Sequence, residues 1–184
     1  MANKSWWLYS LLILILGAVW IVISAPDRDE LQSWQAAAPV VGMQAPDFQL
    51  VSNSGEDLQL SNYQDKAIIL NFWASWCPPC RSEMPAMQQI YEKYQEQGLI
   101  VIAVNATSSD SIDKANEFVQ TNSLNFPIVY DLDGAVNHAY QVGSLPTTFF
   151  ITPTGTIDDI VIGGPMSAAL LSTRAEKILG DNSN

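Results

Sequence analysis

The chain of 184 residues is poor in the residue types that most active sites rely on. It holds two cysteines and one histidine. Two thiols and the remote His138 do not make a metal ligand set, which usually needs three or four donors. No glycine-rich phosphate loop and no nucleotide fingerprint is present, so nucleotide chemistry built on those motifs is excluded. Basic residues are scarce, 8 against 19 acidic, for a net charge of −11. Such a surface repels nucleic acid and anionic lipid headgroups. There is no internal repeat and no low-complexity tract.

Charge is also missing from one long run. From Trp6 to Ala25 there are 20 uncharged residues, WWLYSLLILILGAVWIVISA. As a helix the run spans ~30 Å, the thickness of a bilayer core. Trp6, Trp7 and Tyr9 lie at its start, where interfacial aromatics belong. Residues 1–25 therefore read as an uncleaved signal-anchor helix. A cleaved signal peptide is the alternative, disfavoured by the long apolar core and by Ile23-Ser24-Ala25 followed by Pro26. A buried soluble helix fits poorly, because the segment is apolar on every face. Lys4 before the run and Asp27, Arg28, Asp29 and Glu30 after it put the N-terminus in the cytoplasm and the rest outside the membrane. Residues 26–42 read as a linker, and 43–184 as one domain.

Within that domain the pattern alternates between strand and helix signals. Phe48 to Val51 and Leu58 to Leu60 form two short strands around Ser52-Asn53-Ser54-Gly55. Ala67 to Phe72, Leu99 to Val104 and Phe126 to Tyr130 read as buried strands. Arg81 to Gln97 carries apolar residues at helical spacing, with Gly98 as the stop. Ser109-Asp110 caps a helix running to about Asn122, and Ala135 to Tyr140 is a short helix. Thr147 to Thr152 and Ile157 to Ile162 are strands joined by a tight turn. Ser167 to Leu179 is the last helix. This order predicts an α/β fold with a mixed central sheet flanked by helices.

Both cysteines fall in Trp76-Cys77-Pro78-Pro79-Cys80, between the strand that starts at Ala67 and the helix that follows. Two thiols this close can close a small disulfide ring and open it again. A C-x-x-C between strand and helix reads as a redox motif. A static disulfide is the plainer reading, but so small a loop gains little as a staple.

Further motifs surround this one: Pro85 inside the helix, and Leu145-Pro146-Thr147-Thr148 leading into Phe149-Phe150-Ile151. Together with NFWASWCPPC they resemble the thioredoxin superfamily over roughly Ala45 to Leu179. Within it the chain is similar to the membrane-anchored ResA/TlpA type, with an AhpC/TSA-redoxin-like domain. The resemblance implies a thioredoxin-like fold with an N-terminal β-hairpin and a central helix–strand insertion, supplied by Ile112 to Tyr130. It implies a catalytic role for Glu83, three residues after Cys80. An ordinary exposed glutamate of a first helical turn is the other reading of that residue. The resemblance also makes Pro146 a cis-proline facing the disulfide, where the Leu145 backbone could pair with a partner peptide. Trp76 would offer an apolar platform beside the site, and Trp73 reads equally as part of that platform or as plain core.

Two features depart from relatives of this fold. Asn71 stands where cytoplasmic thioredoxins carry a buried Asp, and Val142-Gly143-Ser144-Leu145 replaces the Gly-Val-x-Glu loop of the CcmG branch.

Cys77 is the expected nucleophile. At a helix start, the dipole and free N–H groups favour its thiolate. Cys80 then resolves the mixed disulfide, giving a Cys77–Cys80 bond. Pro78 and Pro79 lack N–H groups, so the Cys77 pKa should not be deeply depressed and the couple should be reducing.

The expected function is an extracytoplasmic, membrane-tethered thiol–disulfide oxidoreductase without cofactor. The resemblance implies a reductant of partner-protein disulfides, for instance of apocytochrome c, fed by a CcdA/DsbD-type membrane donor. A thiol peroxidase of peroxiredoxin type is disfavoured by Ala74, where such enzymes need Thr or Ser. A non-catalytic binding module remains the third reading.

Overall fold

Seven consecutive buried residues, Ala67–Trp73, form the central strand of the sheet, β3. A computed structural model describes residues 13–15 and 39–180. Residues 1–36 and 37–184 are two separate units. Of the first unit only residues 13–15 are described, and they are helical. The expected anchor at 1–25 and linker at 26–42 otherwise lie outside the described residues up to 38. Among the described residues, no helix is long and apolar enough to cross a membrane.

The second unit begins with a hairpin of β1 (Gln49–Val51) and β2 (Asp57–Gln59). After β3 come α1 (Pro78–Tyr94), β4 (Leu99–Asn105), α2 (Ile112–Thr121), β5 (Ile128–Tyr130) and α3 (Ala135–Ala139). The chain ends with β6 (Thr147–Ile151), β7 (Ile157–Ile162) and α4 (Ala168–Gly180). The described residues form one five-stranded sheet, in the order β5-β4-β3-β6-β7. β3, β4 and β5 run parallel, whereas β6 and β7 run antiparallel to their neighbours. The hairpin covers the β5 edge, where Asn53 N–H donates to the Ile128 carbonyl at 2.9 Å, so the edge is not left open to other chains.

The alternation of β3 side chains decides what each layer covers. Ile69 and Trp73 face a core shared with Met84, Met87 and Ile90 of α1, Phe118 of α2, and Leu171 and Ala175 of α4. Ile68, Leu70 and Phe72 face a second core with Phe48 just before β1, Leu58 of β2 and Val136 of α3. By the same period Asn71 belongs to the face that meets α1, and it is completely buried.

Among the boundaries that differ from expectation are both ends of α1 and the start of β5. α1 starts at Pro78 instead of Arg81, because a first helical turn has no use for the N–H groups that proline lacks. It ends at Tyr94, and a 3-10 turn over Gln95–Gln97 leads to Gly98, whose φ of 94° makes the stop. β5 starts at Ile128, two residues later than Phe126.

Candidate active site

The site forms where the C-terminal end of β3 meets the N-terminus of α1. Cys77 is the residue that caps α1, with Pro78 and Pro79 as its first two helical residues. Cys77 and Cys80 are joined by a disulfide with Cα atoms 5.3 Å apart. Cys80 is fully buried and Cys77 nearly so. The Cys80 N–H donates to Cys77 Sγ at 3.3 Å.

The turn before the cysteines is clamped by Asp110. Its carboxylate accepts from Ser75 N–H and Ser75 Oγ, both at 2.6 Å, from Asn105 Nδ2 and from Ser111 N–H, both at 2.8 Å. Burial pushes the Asp110 carboxyl up, but these donors outweigh it and hold the group below its ordinary value. The cap expected at Ser109-Asp110 is thus displaced: Ser111 occupies the N-cap position of α2, and Asp110 is committed to the redox turn. Trp76 is 57% exposed. Its indole N–H donates to the Ser109 carbonyl at 3.0 Å, which fixes the ring on the surface beside the disulfide. Trp73, by contrast, is fully buried against Phe118, so it is core and not platform.

Glu83 lies one helical turn past Cys80, on the same face of α1. It is completely buried, which overturns the reading of an exposed first-turn glutamate. Oε1 accepts from Asn71 Nδ2 at 3.0 Å, and Oε2 accepts from Met166 N–H at 3.1 Å. Burial raises its pKa to about 7, against the lowering effect of those two donors. Such a group can give and take protons near neutral pH.

The Leu145–Pro146 bond is cis. Pro146 is buried and Leu145 half-buried. Gly164 ties this element to Glu83. A Cβ on Gly164 would sit 2.7 Å from Glu83 Oε2 and 2.8 Å from Pro146 Cγ. The structure thus brings Cys77, Cys80, Glu83, Trp76 and Pro146 around one end of the sheet. Sequence reasoning took Asp110 for a helix cap and missed Gly164 and Met166. Only the turn-like Gly163-Gly164-Pro165 carried a signal, and it did not point to Glu83.

The AhpC/TSA family model matches residues 41–160. The chain belongs to the AhpC/TSA family. One relative, the thiol-disulfide oxidoreductase ResA of Oceanobacillus iheyensis, is 38% identical over 94% of this chain and 85% of its own length. A candidate DsbE-type thiol:disulfide interchange protein from Chlorobium tepidum shares the fold at a TM-score of 0.72. It is 32% identical, over 78% of this chain and all of that one. StoA from Bacillus subtilis superposes with a TM-score of 0.63 and 33% identity, over 73% of this chain and 99% of its own. The fold of this family member is thioredoxin-like, as the sequence motifs implied.

Proposed function

We propose that the protein is a thiol–disulfide oxidoreductase that reduces disulfides of partner proteins outside the cytoplasm. The observation that carries the proposal is the disulfide at the α1 N-terminus with a completely buried glutamate one turn beyond it. ResA and the other thiol–disulfide relatives support the same reaction.

In the reduced protein the Cys77 thiolate attacks one sulfur of the partner's disulfide. That S–S bond breaks, the partner's other sulfur leaves as a thiolate, and a mixed disulfide remains. Glu83 takes the proton of Cys80, whose thiolate then attacks Cys77 Sγ. The second partner thiol is released and the Cys77–Cys80 bond forms. Two electrons have passed to the partner. A membrane donor of CcdA/DsbD type returns two electrons and, with solvent, two protons. Leu145 and Pro146 at the lead of β6, with Trp76, present the surface on which the partner's chain lies. The uncharged run at 6–25 tethers the domain to the membrane with the N-terminus in the cytoplasm. Apocytochrome c is the substrate that the ResA likeness favours.

Trapping tests this reading. Full-length Cys80→Ser protein in cells should accumulate mixed disulfides through Cys77, and the captured protein names the substrate. Wild-type protein should reduce insulin disulfides, and Cys77→Ser should not. If neither reduction nor trapping occurs, the proposal fails. Efficient consumption of hydrogen peroxide would instead point to a peroxidase, although Ala74 offers no hydroxyl to position the peroxide.

A further inference from the structure

Asn71 is completely buried and uses its amide in one direction only. Nδ2 donates to Glu83 Oε1 at 3.0 Å and to Thr148 Oγ1 at 2.9 Å. Its Oδ1 has no hydrogen-bond partner among the described residues. A buried carbonyl left without a donor costs on the order of 1–3 kcal/mol. Nothing in the surroundings of Oδ1 therefore selects this orientation. The selection comes from the other end, where the N–H groups meet a carboxyl and a hydroxyl.

The fold fixes that end firmly. Asn71 and Thr148 are directly paired across the antiparallel β3–β6 ladder, so the Thr148 hydroxyl sits at a set distance from the amide. On the far side, α1 delivers Glu83, and the segment before α4 delivers the Met166 N–H. The Glu83 carboxyl thus hangs between one donor from the sheet and one from the loop. Burial acts on it from one side and these two donors from the other. Cys80, one turn back on the same helix, is the other titratable group beside it once the disulfide is open.

We propose that Asn71 is a positioning residue of the thiol–disulfide reaction: held by Thr148, its amide aims the Glu83 carboxyl and stabilises the ionised form that accepts the Cys80 proton. The proposal rests on the oxidoreductase reading given above. An amide suits this task because it donates without titrating, so the donor persists at every pH. A leucine of similar volume keeps the packing and removes the donor. Burial then acts on Glu83 with only Met166 N–H opposing it, and the carboxyl holds its proton more tightly.

The test is the titration of Glu83 by carbon NMR of its labelled carboxyl in the oxidised full-length protein, which requires no turnover. Asn71→Leu should move the midpoint up by about one pH unit, a tenfold change in proton affinity. In the reduced protein, the acid limb of disulfide exchange with oxidised glutathione should move with it, while the rate at high pH stays within about twofold. Thr148→Val, which frees the amide but leaves the donor in place, should shift both in the same direction by a smaller amount. It also serves if Asn71→Leu does not fold. An unmoved Glu83 midpoint in the folded variants overturns the proposal, as does a rate loss that is equal at every pH. If the midpoint moves but wild-type protein exchanges with no disulfide at any pH, the positioning of Glu83 stands and the oxidoreductase reading falls.

Discussion

Cys77 Sγ accepts a backbone hydrogen bond from Cys80, at 3.3 Å, across a turn that holds no N–H group between them. An N-cap side chain normally draws on the N–H groups of the second and third helical residues. Here the second is Pro79, so only the third remains. Pro79→Ala restores the missing donor. A hydrogen bond to a charged group is worth ~1.5–3 kcal/mol, so the Cys77 thiol pKa should fall by roughly one unit or more. The couple should become more oxidising in parallel. The wild-type potential should lie nearer that of thioredoxin, ~−270 mV, than that of DsbA, ~−120 mV. Alkylation rates against pH and redox titration against glutathione check both statements. An unchanged thiol pKa in Pro79→Ala would remove the proline argument.

Glu83 makes stability depend on pH with an unusual sign. Its pKa in the folded protein, about 7, lies above the ordinary value of 4.5. Between those values the folded state holds a proton that the unfolded state has lost. Stability should therefore fall as pH rises from about 4.5 to 7, then level off. Glu83→Gln should remove this decline. The amide keeps one acceptor for Met166 N–H and offers its N–H groups to Asn71, which can turn its unpartnered Oδ1 toward them. At pH 8 the variant should gain on the wild type by ~1–3 kcal/mol relative to the difference at pH 4.5. Urea unfolding of the oxidised proteins across this range measures it. Parallel curves for the two proteins would contradict the shift.

Asp110 behaves in the opposite sense. Its folded pKa is depressed, so its contribution is present above the ordinary value of 3.8 and is lost as pH falls through the lower folded value. Asp110→Ala strands Ser75 N–H, Ser75 Oγ and Asn105 Nδ2 in a partly buried site. A loss of ~2–4 kcal/mol follows, with Asp110→Asn intermediate. The turn that carries Trp76 should loosen, which indole fluorescence and amide hydrogen exchange around Ser75 and Trp76 report. Unchanged exchange protection there would show that Asp110 does not clamp the turn.

Most strands and helices were legible from the chain because they are bounded by strong local signals: the apolar run at Ala67, Gly98 after α1, the tight turn at Thr154-Gly155. The redox centre was legible because both cysteines lie within four residues. The environment of Glu83 was not. Its partners, Asn71 and Met166, stand 12 and 83 residues away in the chain, and no local pattern links them. Asn71 was recognised only as a departure from thioredoxins; its role as the donor to Glu83 follows from β3 facing α1. Asp110 was misread as a helix cap because a Ser-Asp pair before an amphipathic run signals a cap equally well. Only the closure of β4 beside β3 brings it under Ser75.

Gly164 marks the tightest approach around the site. Its φ is not among the left-handed glycines, so an alanine is allowed by the backbone, and contact alone decides the outcome. The added Cβ would press on Glu83 Oε2 at 2.7 Å and on Pro146 Cγ at 2.8 Å. The carboxyl is pinned by Met166 and Asn71, and the proline ring is rigid, so neither yields cheaply. Gly164→Ala should cost ~1–3 kcal/mol of stability through overpacking. It should also slow the release of the mixed disulfide more than its formation, because Glu83 serves Cys80 and not Cys77. Stopped-flow exchange with a chromogenic disulfide separates the two steps. Equal slowing of both, or of neither in a destabilised protein, would mean that Gly164 matters for packing alone.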